Sequence, residues 1–196
     1  MEATLIQPSW ESIERVLTGA TRIVISSPWI SREGVAFLNK VWATTNCKDW
    51  EIWVRLTPMD YVGGVSDFHG LLDFASALPA RHVRVWSNNA LHTKLYWGGN
   101  SLALVGSSNL TAAGLSTNVE AGVLLRGTPG EIATFVEEQR RQLSEVGMSR
   151  IQEFLSECSA YDDLKVAVSK ITKGLPSPDR LEWGKKDRSP TYHPLR

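Results

Sequence analysis

The chain has 196 residues, room for one domain with a real core and hardly for two. Its 42% hydrophobic and 21% charged content excludes general disorder. Twenty-one basic side chains against 21 acidic ones exclude a globally basic surface, so any polyanion site has to be local.

No apolar run reaches the roughly 18–20 residues of a membrane span. The opening MEATLIQPSW has neither a basic leader region nor a signal-type apolar run. Two cysteines, Cys47 and Cys158, are too few for a disulfide or zinc framework, which makes a reducing, cytoplasmic setting the expectation. The eight tryptophans are read first as core anchors and only second as stacking platforms.

Trp10, Ile13, Val16 and Leu17 recur at helical spacing behind Ser9, a suitable N-cap. Arg22–Ser27 (RIVISS) reads as a buried strand ended by Pro28. Val35, Leu38, Val41 and Trp42 give a second helical stripe. Glu51–Thr57 is the next strand, stopped by Pro58. Phe68, Leu71, Leu72, Ala75 and Leu78 form a third helix, capped by Ser66 or Asp67, and His82–Ser87 a third strand.

Beyond it the pattern changes. Leu91–Trp97, Leu102–Gly106 and Val119–Arg126 read as strands joined by short Gly-, Asn- and Ser-rich turns. Helices follow at about Glu131–Val146, Ser149–Glu157 and Tyr161–Ile171. The whole predicts an α/β domain, a mixed β-sheet flanked by helices on both faces, over residues 1–173. From Gly174 to Arg196, four prolines and many charged residues replace the apolar periodicity, which predicts an extended polar tail.

The informative stretch runs from His92 to Glu120. On a strand, His92 and Lys94 share one face, and an imidazole beside an ammonium suits an anion or solvent better than a core. The turn Gly106-Ser107-Ser108-Asn109 leaves an apolar strand and offers a hydroxyl, an amide and backbone N–H groups as an anion cradle. Ser107 and Asn109 are also suited to capping a following helix. Glu120, near the start of AGVLL, is suited to hold an imidazole Nδ1–H and leave Nε2 free to attack. These residue types describe phosphoryl chemistry without a metal. The imidazole attacks phosphorus while Lys and Asn neutralise the non-bridging oxygens, and no His, Cys or carboxylate cluster with metal-ligand spacing lies nearby. Ser26-Ser27 and Pro28-Trp29 end the first buried strand at an edge where sites of α/β sheets gather.

The segment Leu91–Leu125 resembles the His-x-Lys … Gly-Ser-x-Asn motif of the phospholipase D superfamily. The resemblance implies a phospholipase D-like single domain with His92 as covalent nucleophile. Lys94, Ser107 and Asn109 would bind the phosphate, and Glu120, from a trailing Asn-x-Glu element, would support the histidine. It implies no cofactor and no metal. One position departs from the motif: Gly99 stands where an Asp is usual, five residues after the Lys, and a Gly98-Gly99-Asn100 hairpin turn accounts for it locally.

The superfamily reaction uses two histidines, and this chain carries one motif. A homodimer with the active site on its two-fold axis follows, with Trp97 and Leu110 among the apolar residues expected to bury the interface. The expected activity is a metal-independent nuclease acting on DNA or RNA through a phosphohistidine, of a kind suited to restriction or phage defence. The alternatives are an inactive phosphodiester-binding or scaffolding module, which Gly99 favours, and a lipid-directed phospholipase, which no membrane segment supports. Sequence specificity is left to a partner protein or to the tail.

Overall fold

Short local signals start most of the helices. In this computed structural model, which describes residues 2–79, 82–127 and 129–174, helix α1 (Trp10–Leu17) begins at Ser9. The Ser9 hydroxyl accepts from Ser12 N–H while the Ser12 hydroxyl accepts from Ser9 N–H, two otherwise orphaned donors satisfied reciprocally. Ser31 caps α2 (Arg32–Thr44), Thr57 caps the short α3 (Pro58–Val62) and Asp67 caps α4 (Phe68–Ser76). Pro58 therefore does more than stop a strand. It occupies the first turn of a helix, where its missing N–H costs nothing.

Among the described residues, eight strands form one sheet. In chain order they are β1 (Glu2–Ile6), β2 (Ile23–Ser26), β3 (Trp50–Val54), β4 (Val83–Ser87), β5 (Leu95–Trp97), β6 (Leu102–Gly106), β7 (Gly122–Arg126) and β8 (Ser144–Val146). Their spatial order is β1-β7-β6-β5-β2-β3-β4-β8. The β2–β3–β4 block is parallel and the remaining pairs are antiparallel. Parallel neighbours need long crossovers, and α2, then α3 with α4, supply them.

Alternation along each strand divides the interior in two. Ile23, Ile25, Trp50 and Ile52 point to a large cluster beneath α1, α2, α4 and α6 (Met148–Ser159). Val24, Trp53, Leu95 and Trp97 point to a smaller cluster covered by Ile132 and Val136 of α5 (Pro129–Arg140). A charge network moors α5 to that face. Glu51, fully buried on β3, accepts from Arg22 at 2.6 Å and is ion-paired with Arg84 at 3.0 Å, and Arg22 also pairs with Glu137 of α5 at 2.9 Å. Helices thus flank both faces, as expected.

Four expectations are corrected. The strand expected from Leu91 starts only at Leu95. Asn88 forms a side-chain turn, accepting Ala90 N–H on its Oδ1 and Leu91 N–H on its carbonyl, and the chain reaches strand geometry later. The strand expected from Val119 likewise starts at Gly122. The helix expected over 131–146 stops at Arg140, and Ser144–Val146 pairs with β4 as an edge strand. Trp97 and Leu110 are buried in the chain's own core, 3% and 0% exposed, so neither is free to line a subunit interface.

β1 and α3 lay outside the expected elements. Helix α7 (Asp162–Gly174) runs to the start of the expected tail; residues 175–196, with Trp183 and His193, lie outside the described residues. Both cysteines are free and buried. No helix among the described residues is long and apolar enough to cross a membrane.

Candidate active site

The motif residues gather at one sheet edge, where the carboxyl end of β2 meets the start of β5 and the end of β6 meets the start of β7. Two buried serines of the β2 end stitch them together. Ser26 Oγ donates to Thr93 O at 2.9 Å, which anchors the loop carrying His92. Ser27 Oγ donates to Trp29 O at 2.6 Å and accepts from Leu110 N–H at 2.8 Å, which anchors the turn carrying Asn109. Both hydroxyls are spent on the backbone and position the site from behind.

His92 and Lys94 do not project side by side from a strand. His92 is exposed in the loop before β5, and Lys94 is buried. The ammonium folds back: Lys94 Nζ lies 3.1 Å from His92 Nδ1 and 3.0 Å from Nε2, and donates to the His92 carbonyl at 2.8 Å. Burial lowers the Lys94 pKa, the Glu120 carboxylate opposes that shift, and the nearby Arg55 guanidinium adds to it.

Glu120 does not hold His92. Its carboxylate accepts a short hydrogen bond from Ser107 Oγ and a 3.1 Å bond from Asn118 Nδ2. The reason is local: β6 and β7 pair tightly as they approach the turn, with Ser107 N–H donating to Ala121 O at 3.0 Å and Ala121 N–H to Ser107 Oγ at 3.1 Å. That approach needs Gly106, where a Cβ would come within 2.5 Å of Ala121 O.

Asn109 follows, and its amide Oδ1 is buried with no hydrogen-bond partner among the described residues. Neither Ser107 nor Asn109 caps the segment beyond. Ala113–Thr117 forms a single π-helical turn, and Thr111 Oγ1 takes the Gly114 N–H. A polar atom left unpaired in a rigid turn is a common sign of a ligand position.

Two residues beside the cradle, Arg55 and Asp60, were not singled out in the sequence, and they join Trp29, which was placed at this edge. Asp60, 5% exposed, accepts from Arg55 at 2.7 and 2.8 Å, from Thr57 at 2.7 Å and from the Trp29 indole at 2.9 Å. Burial alone would raise its pKa; the three donors bring it below the usual carboxylate range. Arg55 also lies over the Trp29 ring, 5.4 Å from its centroid. The available signal was position: Arg55 follows β3 directly, at the same strand ends as Ser26 and Ser27. Among the described residues no group of three or more His, Cys, Asp or Glu is placed to hold a metal ion.

No family model matches the chain, and no curated protein matches it by sequence. Solved structures do. The phospholipase D family member Nuc from Salmonella typhimurium aligns with TM-score 0.55 and 14% identity, covering 74% of this chain and 99% of that one. NucT from Helicobacter pylori aligns with TM-score 0.55 and 12% identity over the same shares. Phosphatidylserine synthase from Haemophilus influenzae aligns with TM-score 0.56 and 14% identity, covering 85% of this chain but 46% of that one. Identities this low speak to architecture: the chain has the phospholipase D-like α/β fold.

Proposed function

We propose that this chain is a metal-independent phosphodiesterase of the phospholipase D type that cleaves nucleic acid, with His92 as its nucleophile. The observation that carries the reading is the exposed imidazole of His92 against the buried ammonium of Lys94, at the sheet edge that also carries Asn109. An imidazole nitrogen attacks phosphorus, a P–N bond forms and the P–O bond to the leaving group breaks. A second imidazole gives the leaving oxygen its proton, then takes one from water as that water attacks phosphorus and the P–N bond breaks. The Lys94 ammonium and the Asn109 Nδ2 N–H donate to the non-bridging oxygens as charge builds on them. Ser107 adds a phosphate contact, and Glu120 orients Ser107 and Asn118 while balancing the Lys94 charge.

One chain offers one such imidazole, so the second comes from a second copy across a two-fold axis. In the superfamily that the motif resembles, small single-motif members act mostly on nucleic acid, and this chain has that size. The alignment spans nearly all of Nuc and NucT, whereas it spans under half of the phosphatidylserine synthase. Gly99 does not weigh against activity, because it lies in the turn after β5, at the opposite end of that strand from His92.

The test is incubation with excess chelator on single- and double-stranded DNA, RNA and a phospholipid in parallel. Cleavage of nucleic acid in the chelator is expected. His92→Ala should lower it by several orders of magnitude with an unchanged circular dichroism spectrum. Near-normal cleavage by that variant, or turnover of the lipid alone, would overturn the reading.

A further inference from the structure

Beside the anion cradle lies a cleft of about 310 Å3 whose walls include Trp29, Ser31, Val65, Asn109, Thr111 and Asn118. Asn109 belongs to both, so an occupant of the cleft sits directly next to a phosphate held in the cradle. The chain stitches the two sides together: Ile30 and Leu110 form an isolated parallel bridge, and Ser31 N–H donates to Leu110 O at 3.1 Å.

Trp29 is prepared as a fixed aromatic surface. Its indole N–H is spent on Asp60, and the Arg55 guanidinium lies over the ring. Asp60 in turn is clamped by Arg55 and Thr57. An indole held by its N–H and by a cation over its ring loses little freedom when a second flat group stacks on it. Trp50, Trp53 and Trp97 are used up in the core, whereas Trp29 is only partly buried. The cleft adds apolar surface from Val65 and the alanines at 112 and 113, and Asn109 supplies an unpaired amide oxygen. A planar, edge-polar group fits this set; a flexible acyl chain has no use for the fixed ring or the amide.

Resting on the phosphodiesterase reading above, we infer that this cleft takes the nucleobase next to the scissile phosphate, stacked on Trp29, with the Asn109 amide at the base edge. Such a base has to be out of a duplex stack, as in single-stranded nucleic acid. Because every base has a flat face, the contact favours nucleic acid over other phosphodiesters without choosing a sequence.

The experiment reads binding separately from turnover. Fluorescence anisotropy of the full chain carrying His92→Ala compares a labelled single-stranded oligonucleotide with a backbone of equal length and charge bearing tetrahydrofuran spacers in place of bases. The base-bearing strand should bind about tenfold tighter, the scale of one stacked base. Adding Trp29→Leu should bring that ratio close to one, and adding Trp29→Phe, which keeps a flat ring, should retain most of it. Ala113→Leu, at an exposed position, should fill the cleft and lower the ratio even if the Trp29→Leu protein proves unstable. Equal affinity for both strands, or a base preference that survives both Trp29→Leu and Ala113→Leu, would overturn the inference. Cleavage by the unsubstituted chain without base preference in binding leaves the enzyme standing and removes the base site; base preference without cleavage does the reverse.

Discussion

At Lys94 the chain keeps a charge where burial works against it. The side chain is 6% exposed, and its pKa lies below the ordinary 10.5 chiefly through burial. The sign for stability follows. The folded chain binds this proton more weakly than the unfolded chain does, so the protonated amine costs stability at neutral pH. That cost falls away as pH rises through the lowered folded value towards 10.5. Lys94→Met should therefore raise the melting temperature at neutral pH, by roughly 1 kcal/mol in stability, and the advantage should shrink in alkaline buffer. The same change should remove about 2–4 kcal/mol of transition-state stabilisation, a loss of charge at the phosphate that no repacking restores. In the unsubstituted protein the alkaline limb of kcat/KM should fall below pH 10.5, where Lys94 gives up its proton. A methionine variant that melts lower at neutral pH, or an alkaline limb at the ordinary lysine value, would show that the buried ammonium is not strained.

The hairpin between β5 and β6 explains the one departure from the motif. Gly99 has φ +68°, and a Cβ there would meet Arg22 N and Thr21 Oγ1 at 2.9 Å. Gly99→Asp, which restores the usual motif residue, should thus destabilise by about 1–3 kcal/mol and leave turnover per folded molecule unimproved, measured by urea unfolding and active-fraction assays. Elements with local signals were legible in the sequence. The Ser9 and Asp67 caps and the apolar runs of β2 and β6 announce themselves within a few residues. Ser144–Val146 was not legible, since only the open edge of β4 makes a strand of it, and neither was β1, whose short exposed sequence acquires meaning from β7. The candidate site divides the same way. His92 and Lys94 were found by their spacing, but the Lys94 side chain folding back, not strand alternation, brings them together. The Glu120–Ser107 pairing and the Trp29–Asp60–Arg55 group depend on which segments meet at the sheet edge, and no local pattern encodes that.

For the molecule as a whole, stoichiometry is the sharpest consequence of the proposed chemistry. Val119, adjacent to Glu120, is 99% exposed, an apolar side chain beside a site that in the proposed chemistry takes a second imidazole. If two copies share one site, a heterodimer with His92→Ala holds a single imidazole and is inactive. Mixing wild type with that variant should lower activity as the square of the wild-type fraction once subunits exchange; a linear fall, or an active monomer by light scattering, would refute sharing. The strand order also carries a consequence for synthesis. β1 leaves the ribosome before the other described strands, yet its partner β7 ends at Arg126, so it waits unpaired while most of the sheet is made. The parallel β2–β3–β4 block can assemble in the order of its translation, whereas β5, β6 and β7 must close a long loop back across it. His92, Asn109 and Glu120 all lie in the loops that flank those late strands. A nascent chain therefore carries a hydrophobic half-sheet well before it carries the candidate site, and its sheet is complete on that side only when its first and seventh strands meet.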